Sequence, residues 1–139
     1  MTSKEIKTYL TDYYLSMVTQ YKVFEEVKTG NTWSDGTKLY KIDFLAYKVG
    51  WKTSELLGFE IKVSRSDFLR NKKWHNYKEF VNKLSFACPE NLIKKSELPE
   101  NIGLVYIKKD GKVKWVRRPN VINKVPNPSI FQYLVNSRI

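Results

Sequence analysis

Hydrophobic and polar positions along this chain change period several times, and each change marks a new element. Across residues 4–20, Ile6, Tyr9, Leu10, Tyr13 and Met17 recur on one helical face, while Thr2 and Glu5 stand at capping-box spacing. A short strand over residues 21–27 follows, and then a turn-rich loop, NTWSDGTK, over residues 31–38. Period two becomes clear afterwards. Ile42, Phe44 and Ala46 alternate with Asp43, Leu45 and Tyr47; beyond a turn at GWKT, Leu57, Phe59, Ile61 and Val63 alternate with Gly58, Glu60, Lys62 and Ser64. The two segments are expected to pair as antiparallel strands, with Glu60 and Lys62 on one face, opposite the apolar residues that seat the strand.

The period then changes to that of a helix. Ser64 and Asp67 repeat the capping spacing, and Trp74, Tyr77, Val81 and Leu84 continue one helical face until Pro89 stops it. After a polar connector containing Pro99, IGLVYI over residues 102–107 predicts a central strand covered on both faces. Asp110-Gly111 is a hairpin signal into residues 112–116, and Asn127-Pro128 opens a last short helix over residues 129–136. The order is helix, three strands, helix, one or two strands, helix: a small α/β or α+β domain with a mixed sheet. A length of 139 residues suits one domain, 1–139, with its core over about 4–116 and a C-terminal extension over 117–139.

Composition narrows the partners. The chain is 42% hydrophobic and 14% aromatic, enough to fill a core and unlike a disordered tail. No apolar run reaches membrane-spanning length and the first residues lack a signal-peptide pattern, so a cytoplasmic protein without membrane insertion is expected. Lysines and arginines number 25 against 14 acids, a net charge of +11, which favours a polyanion. An anionic membrane surface would attract the same charge, but the apolar residues are spread over short elements and form no single amphipathic anchor. Cys88 is the only cysteine and His75 the only histidine, which excludes an internal disulfide, a Cys/His zinc cluster and catalysis by several imidazoles. Any metal would be held by oxygen ligands, which favours Mg2+ or Mn2+.

An acid two residues before a lysine is weak evidence here, because the pattern occurs four times: Glu5-x-Lys7, Glu26-x-Lys28, Glu60-x-Lys62 and Asp110-x-Lys112. Context separates them. Glu5 caps a helix, Asp110 shapes a turn, and Glu26 has no aspartate on a preceding strand. Glu60-x-Lys62 lies on an apolar-backed strand, after an aspartate-bearing strand and before a capped helix. The plain alternative makes Asp43 an edge-strand charge and Glu60 with Lys62 a solvated cross-strand group. The chemical reading makes Asp43 and Glu60 hard oxygen ligands, joined by a backbone oxygen near Ile61. Lys62 would orient a nucleophile or stabilise developing charge. Glu26 is a candidate third acid from the neighbouring strand; Glu25 is its rival, since one residue of register exchanges them.

Glu60-Ile61-Lys62 is followed by Ser64, Asp67-Phe68, Lys73-Trp74 and Tyr77, then FACP ending at Pro89, then Pro99 before Gly103-Leu104. This run resembles the MmcB-like DNA repair branch of the PD-(D/E)xK nuclease superfamily, over roughly residues 21–107. The resemblance implies a restriction-endonuclease-like αβββαβ core with a mixed central sheet. It also implies metal-dependent hydrolysis of DNA in repair or processing, endonucleolytic rather than exonucleolytic. Its active site carries over as Asp43, Glu60 and Lys62, with Glu26 as the added acid. The chain departs from the pattern in having Ile42, not proline, before Asp43, and Asn71 where an acid is expected. Arg65, Arg70, Lys72 and Lys73 are candidate phosphate contacts, with Arg117-Arg118 as a second patch. Asp67 reads as a cap; Trp74 and Tyr77 read as core residues, or else as an aromatic pair near a base or sugar. The alternative function is a nucleic-acid-binding module that does not cut, within a larger repair, restriction or mobile-element complex. A homodimer would extend the reach of so small a domain.

Overall fold

A computed structural model describes residues 1–29, 40–50, 53–70 and 73–137. Helix α1 (Ser3–Leu15) precedes strands β1 (Tyr21–Lys28), β2 (Lys41–Lys48) and β3 (Glu55–Ile61). Helix α2 (Arg65–Arg70) and a 3-10 turn (Lys73–Tyr77) lead to β4 (Lys83–Pro89). A second 3-10 turn (Lys95–Glu97), β5 (Gly103–Ile107), β6 (Val113–Arg117) and α3 (Ser129–Ser137) complete the chain. The loop expected over residues 31–38 lies outside the described residues, as do Asn71 and Lys72.

The strands form one sheet in the order β1-β2-β3-β4-β5-β6. β1, β2 and β3 pair antiparallel, β3, β4 and β5 parallel, and β6 returns antiparallel to β5. The sheet is therefore mixed, and the αβββαβ order is the expected restriction-endonuclease-like core. The reciprocal cap at Thr2 and Glu5 is present, with Glu5 N–H donating to Thr2 Oγ1 at 3.1 Å and Thr2 N–H to Glu5 Oε1 at 3.2 Å. At the other expected turn, Gly111 takes a φ of +88°, a conformation glycine adopts without steric cost.

Both faces of the sheet are covered. On one, Ile6, Leu10 and Tyr14 of α1 pack with Phe44, Ala46, Leu57, Phe59, Ile61, Val105 and Ile107. On the other, Leu45, Leu56, Leu84, Phe86, Cys88 and Leu104 pack beneath Phe68, Trp74, Tyr77 and Ile130. Gly58 makes close packing possible on this second face: a Cβ there would come within 2.9 Å of Val81 Cγ1. Asn82 ties the C-terminal segment to the sheet, accepting from Leu56 N–H at 2.8 Å and donating to the Asn123 carbonyl at 3.0 Å.

One expectation is corrected. The helix read from Ser64 to Pro89 ends at Arg70, and residues 83–89 form the buried parallel strand β4. Ser85, Phe86, Ala87 and Cys88 are all buried, as a strand covered on both faces requires. Trp74, Tyr77, Val81 and Leu84 do share one core, but along a 3-10 turn, the connector after it and a strand. Cys88 is buried, as its surroundings in the sequence suggested.

Candidate active site

Strand alternation sets Glu60 and Lys62 on the face away from α1, the face on which Trp74 and Tyr77 pack. There they are 5% and 1% exposed, so a solvated charge group is excluded. Asp43 stands on β2, an interior strand, so the edge-strand explanation of its charge also fails. Its Oδ2 accepts from Ile61 N–H at 2.8 Å, which brings its carboxyl to the end of β3. The Lys62 ammonium lies 3.3 Å from Glu60 Oε1 and 3.8 Å from Asp67 Oδ1. Asp43, Glu60 and Lys62 thus meet at the ends of two neighbouring strands.

The electrostatics are those of two carboxyls with too little positive charge. The Asp43 and Glu60 carboxyls are within hydrogen-bonding reach of each other. Burial, and then the charge of Asp43, push Glu60 up to about 8; the attraction of Lys62 opposes this but is outweighed. Burial also raises Asp43, against the pull of the Ile61 N–H and of Lys62 and Lys7. Glu60 Oε2 is sealed from solvent and has no hydrogen-bond partner among the described residues. As two carboxylates the pair offers only acceptors. A proton on Glu60 relieves this, and so would a cation between the two groups.

Glu26 is placed differently. It has a φ of 49° between the paired positions Glu25↔Phe44 and Val27↔Ile42, and its exposed carboxylate meets Lys41 at 3.3 Å and Lys7 at 3.8 Å. These lysines hold its pKa below the usual range. Among the described residues no three acids, histidines or cysteines converge as a metal-binding group. The oxygen donors that do converge are Asp43 and Glu60, with Ile61 beside them in the chain. This suits a cation that keeps several waters and takes one or two carboxylates plus substrate oxygens, as Mg2+ does.

The cationic candidates divide. Arg65 is held by Glu97 through two bonds of 2.8 Å and donates to the Leu92 carbonyl at 3.0 Å. Arg70 and Lys73 are exposed, at the end of α2 and the start of the 3-10 turn. Lys72 is outside the described residues. Asp67 sits one turn into α2, its N–H donating to Ser64 Oγ at 3.2 Å, so Ser64 is the cap and Asp67 is turned toward Lys62. Trp74 and Tyr77 are buried, Trp74 edge-on to Phe86 at 5.3 Å.

Two residues near the site were not assigned a place in it by sequence reasoning. Lys7, on α1, bonds Glu26 and acts electrostatically on Asp43. Its only signal was adjacency to Ile6 on the buried face of a helix. The Tyr77 phenol is close enough to feel the charges of Glu60 and Asp43, which with burial raise its pKa.

Compared with known families, residues 41–127 match a model described as DNA repair protein MmcB-like. That span is well over half the chain and includes Asp43, Glu60 and Lys62. No curated protein matches. Among solved structures, the chain is similar to the SPO1766 protein of unknown function from Silicibacter pomeroyi. The identity is 19%, over 98% of this chain and 83% of that one, with a TM-score of 0.62. At that identity the likeness speaks for the fold alone.

Proposed function

The chain belongs to the MmcB-like DNA repair protein family, within the PD-(D/E)xK nuclease superfamily, and from that premise we propose that it hydrolyses DNA phosphodiesters with a bound divalent cation. The observation that carries the reading is Glu60 Oε2, a buried carboxyl oxygen without a hydrogen-bond partner among the described residues, beside the half-buried carboxyl of Asp43. Such a pair is costly in a fold unless something positive enters it.

Asp43, Glu60 and the Ile61 carbonyl would hold the ion, Mg2+ or Mn2+. When bound, it supplies positive charge beside the scissile phosphate and makes water a stronger acid. Burial and Asp43 leave Glu60, with a pKa of about 8, protonated at neutral pH without an ion, so it would have to give up that proton to serve as a ligand. Asp43 is oriented for this by the Ile61 N–H at 2.8 Å. Lys62, held by Glu60 and Asp67, would orient the attacking water and offset charge developing on the phosphate. Arg70 and Lys73, exposed cations on the elements that follow β3, would meet flanking phosphates. The family's description supports a role in DNA repair or processing.

The test is cleavage of labelled single-stranded, duplex, branched and circular DNA with magnesium, manganese or EDTA, for wild type beside Lys62→Ala. Metal-dependent products that the variant fails to make are expected, and cutting of the circle identifies an endonuclease. Folded protein that binds DNA without cutting would favour the binding module or a requirement for a partner. Cleavage unchanged by Lys62→Ala would refute the assigned role.

A further inference from the structure

Arg117 and Arg118, read from sequence as one basic patch, point to different tasks. Between Leu104↔Arg117 and Val105↔Trp115 the β5–β6 register shifts by one residue, a bulge that re-aims the end of β6. Arg117 turns to the backbone, donating to the Ile102 carbonyl at 3.0 Å and the Pro99 carbonyl at 2.7 Å. Arg118 is exposed, and its guanidinium lies 5.0 Å from the ring centre of Trp115.

Trp115 and Arg118 line a cavity of about 220 Å³ with Tyr13, Tyr14, Tyr21 and Phe59. Its rim adds Lys48 and Lys83 against one acid, Glu55, and Glu55 is already paired with Lys83 at 3.0 Å. Arg118 and Lys48 therefore leave the rim net positive. Ser85 lies at its floor beside Gly103, where a Cβ would collide with Ser85 Oγ and come within 2.8 Å of Pro119 Cδ. The cavity is smaller than the roughly 300–1,000 Å³ of sites for drug-sized molecules, so it suits one planar ring system. It is also separate from the candidate active site. Phe59 faces α1 while Glu60 and Lys62 face the other side of the sheet, and Lys48 is five residues along β2 from Asp43, roughly 17 Å at strand spacing.

We propose that this cavity is a nucleotide-binding site, in which an unpaired base stacks among the aromatic rings and its phosphate meets Arg118 and Lys48. Aromatic walls accept any base because every base has a π-face, and a cationic rim selects a ring that carries a phosphate. An isolated phosphate would have no use for the rings, and an uncharged aromatic compound none for the rim. The nucleotide comes either free or as an unpaired unit of a single strand.

The experiment is calorimetric titration of the full chain in EDTA, so that cleavage plays no part. The ligands are dTMP, dAMP, 2-deoxyribose 5-phosphate and a short oligo(dT), against wild type, Arg118→Ala, Trp115→Leu and Lys62→Ala, each checked for folding by circular dichroism. Both mononucleotides should bind, the base-free sugar phosphate at least tenfold more weakly. Arg118→Ala, an exposed change that leaves the core alone, should weaken mononucleotide binding about tenfold, and Lys62→Ala should not alter it. An equal loss for oligo(dT) in Arg118→Ala and Trp115→Leu identifies the strand as the source; loss for mononucleotides alone identifies free nucleotide. The proposal is overturned if millimolar mononucleotide does not bind, if the base-free phosphate binds as well, or if Lys62→Ala removes binding while Arg118→Ala spares it. Because the ligands are read without metal or turnover, failure of the nuclease reading leaves these outcomes independent.

Discussion

Replacing Glu60 by glutamine is expected to stabilise the metal-free protein at pH 8 and to change it little at pH 5. Burial and Asp43 raise the Glu60 pKa from 4.5 to about 8 in the folded state. Between those values the unfolded chain has lost the proton that the folded chain keeps. The folded state binds more protons, so wild-type stability falls as pH rises through this window and levels off above it. At 1.36 kcal/mol per pKa unit the full shift amounts to roughly 5 kcal/mol. Asp43 shares the titration, so the expected fall is roughly 2–4 kcal/mol. Glutamine matches the protonated carboxyl in shape and does not titrate, so its advantage over wild type grows across the same window. With a urea m-value of about 2 kcal/mol/M, the midpoint difference should open by roughly 1–2 M between pH 5 and pH 8. Urea unfolding in EDTA at four pH values measures it directly. An offset independent of pH would refute the reasoning. So would a variant that loses ground at pH 8, because Glu60 would then be ionised and its pairing with Lys62 net stabilising. Adding Mg2+ or Mn2+ at pH 8 should restore stability to wild type and not to the variant, by preferential binding to the folded state.

Other outcomes follow from the same structure. Lys62→Met keeps the buried volume but removes the ammonium; cleavage should fall about 100-fold or more while DNA binding, read by anisotropy, changes less than tenfold. Asn82→Ala removes buried bonds to Leu56 and Asn123 and should destabilise by about 2–4 kcal/mol in denaturant titration, with metal affinity unchanged. Arg65 holds the Glu97 pKa down to about 2, so Glu97→Gln should lower the melting temperature at pH 7. That difference, present above the ordinary carboxylate pKa, should vanish as pH falls toward 2 and shrink in high salt, because the pair is exposed.

Period-two alternation made Asp43, Glu60 and Lys62 legible, because it fixes which residues share a face wherever strands are paired and seated. The burial of that face was not legible. It depends on the packing of Trp74 and Tyr77 onto the same face of the sheet as Phe86, from segments whose mutual packing no local pattern encodes. β4 was misread because Trp74, Tyr77, Val81 and Leu84 are spaced like a helix face and serve one core, while the chain beneath them changes conformation twice. The pairing of Arg65 with Glu97 was not legible because the two are 32 residues apart. Arg117 and Arg118 looked alike because a one-residue bulge, which separates them, leaves no mark in composition.

The choice between a nuclease and a module that only binds turns on what the carboxyls do to a polyanion. A protein with a net charge of +11 needs no buried acid to attract DNA, and surface lysines and arginines supply that term whether or not Glu60 is present. Asp43 and Glu60 act against it: any negative charge the pair carries repels an approaching phosphate, and the desolvation of their carboxyls weakens the fold. Apolar residues of similar volume in place of Asp43, Glu60 and Lys62 together would commonly be neutral or stabilising, and would remove the repulsion too. A function in binding alone gives no reason to keep the cluster, whereas a divalent cation would reverse both penalties at once. It would satisfy Glu60 Oε2 and make the carboxyl pair the anchor of a positive charge beside the phosphate. On this reasoning the metal contributes to DNA affinity as well as to chemistry. In the non-cleaving Lys62→Met protein, Mg2+ should therefore strengthen DNA binding at fixed ionic strength, and the same ion should not strengthen it once Asp43→Asn and Glu60→Gln are added. If magnesium acts only as a screening salt in all three proteins, the carboxyl pair has no such part in holding DNA.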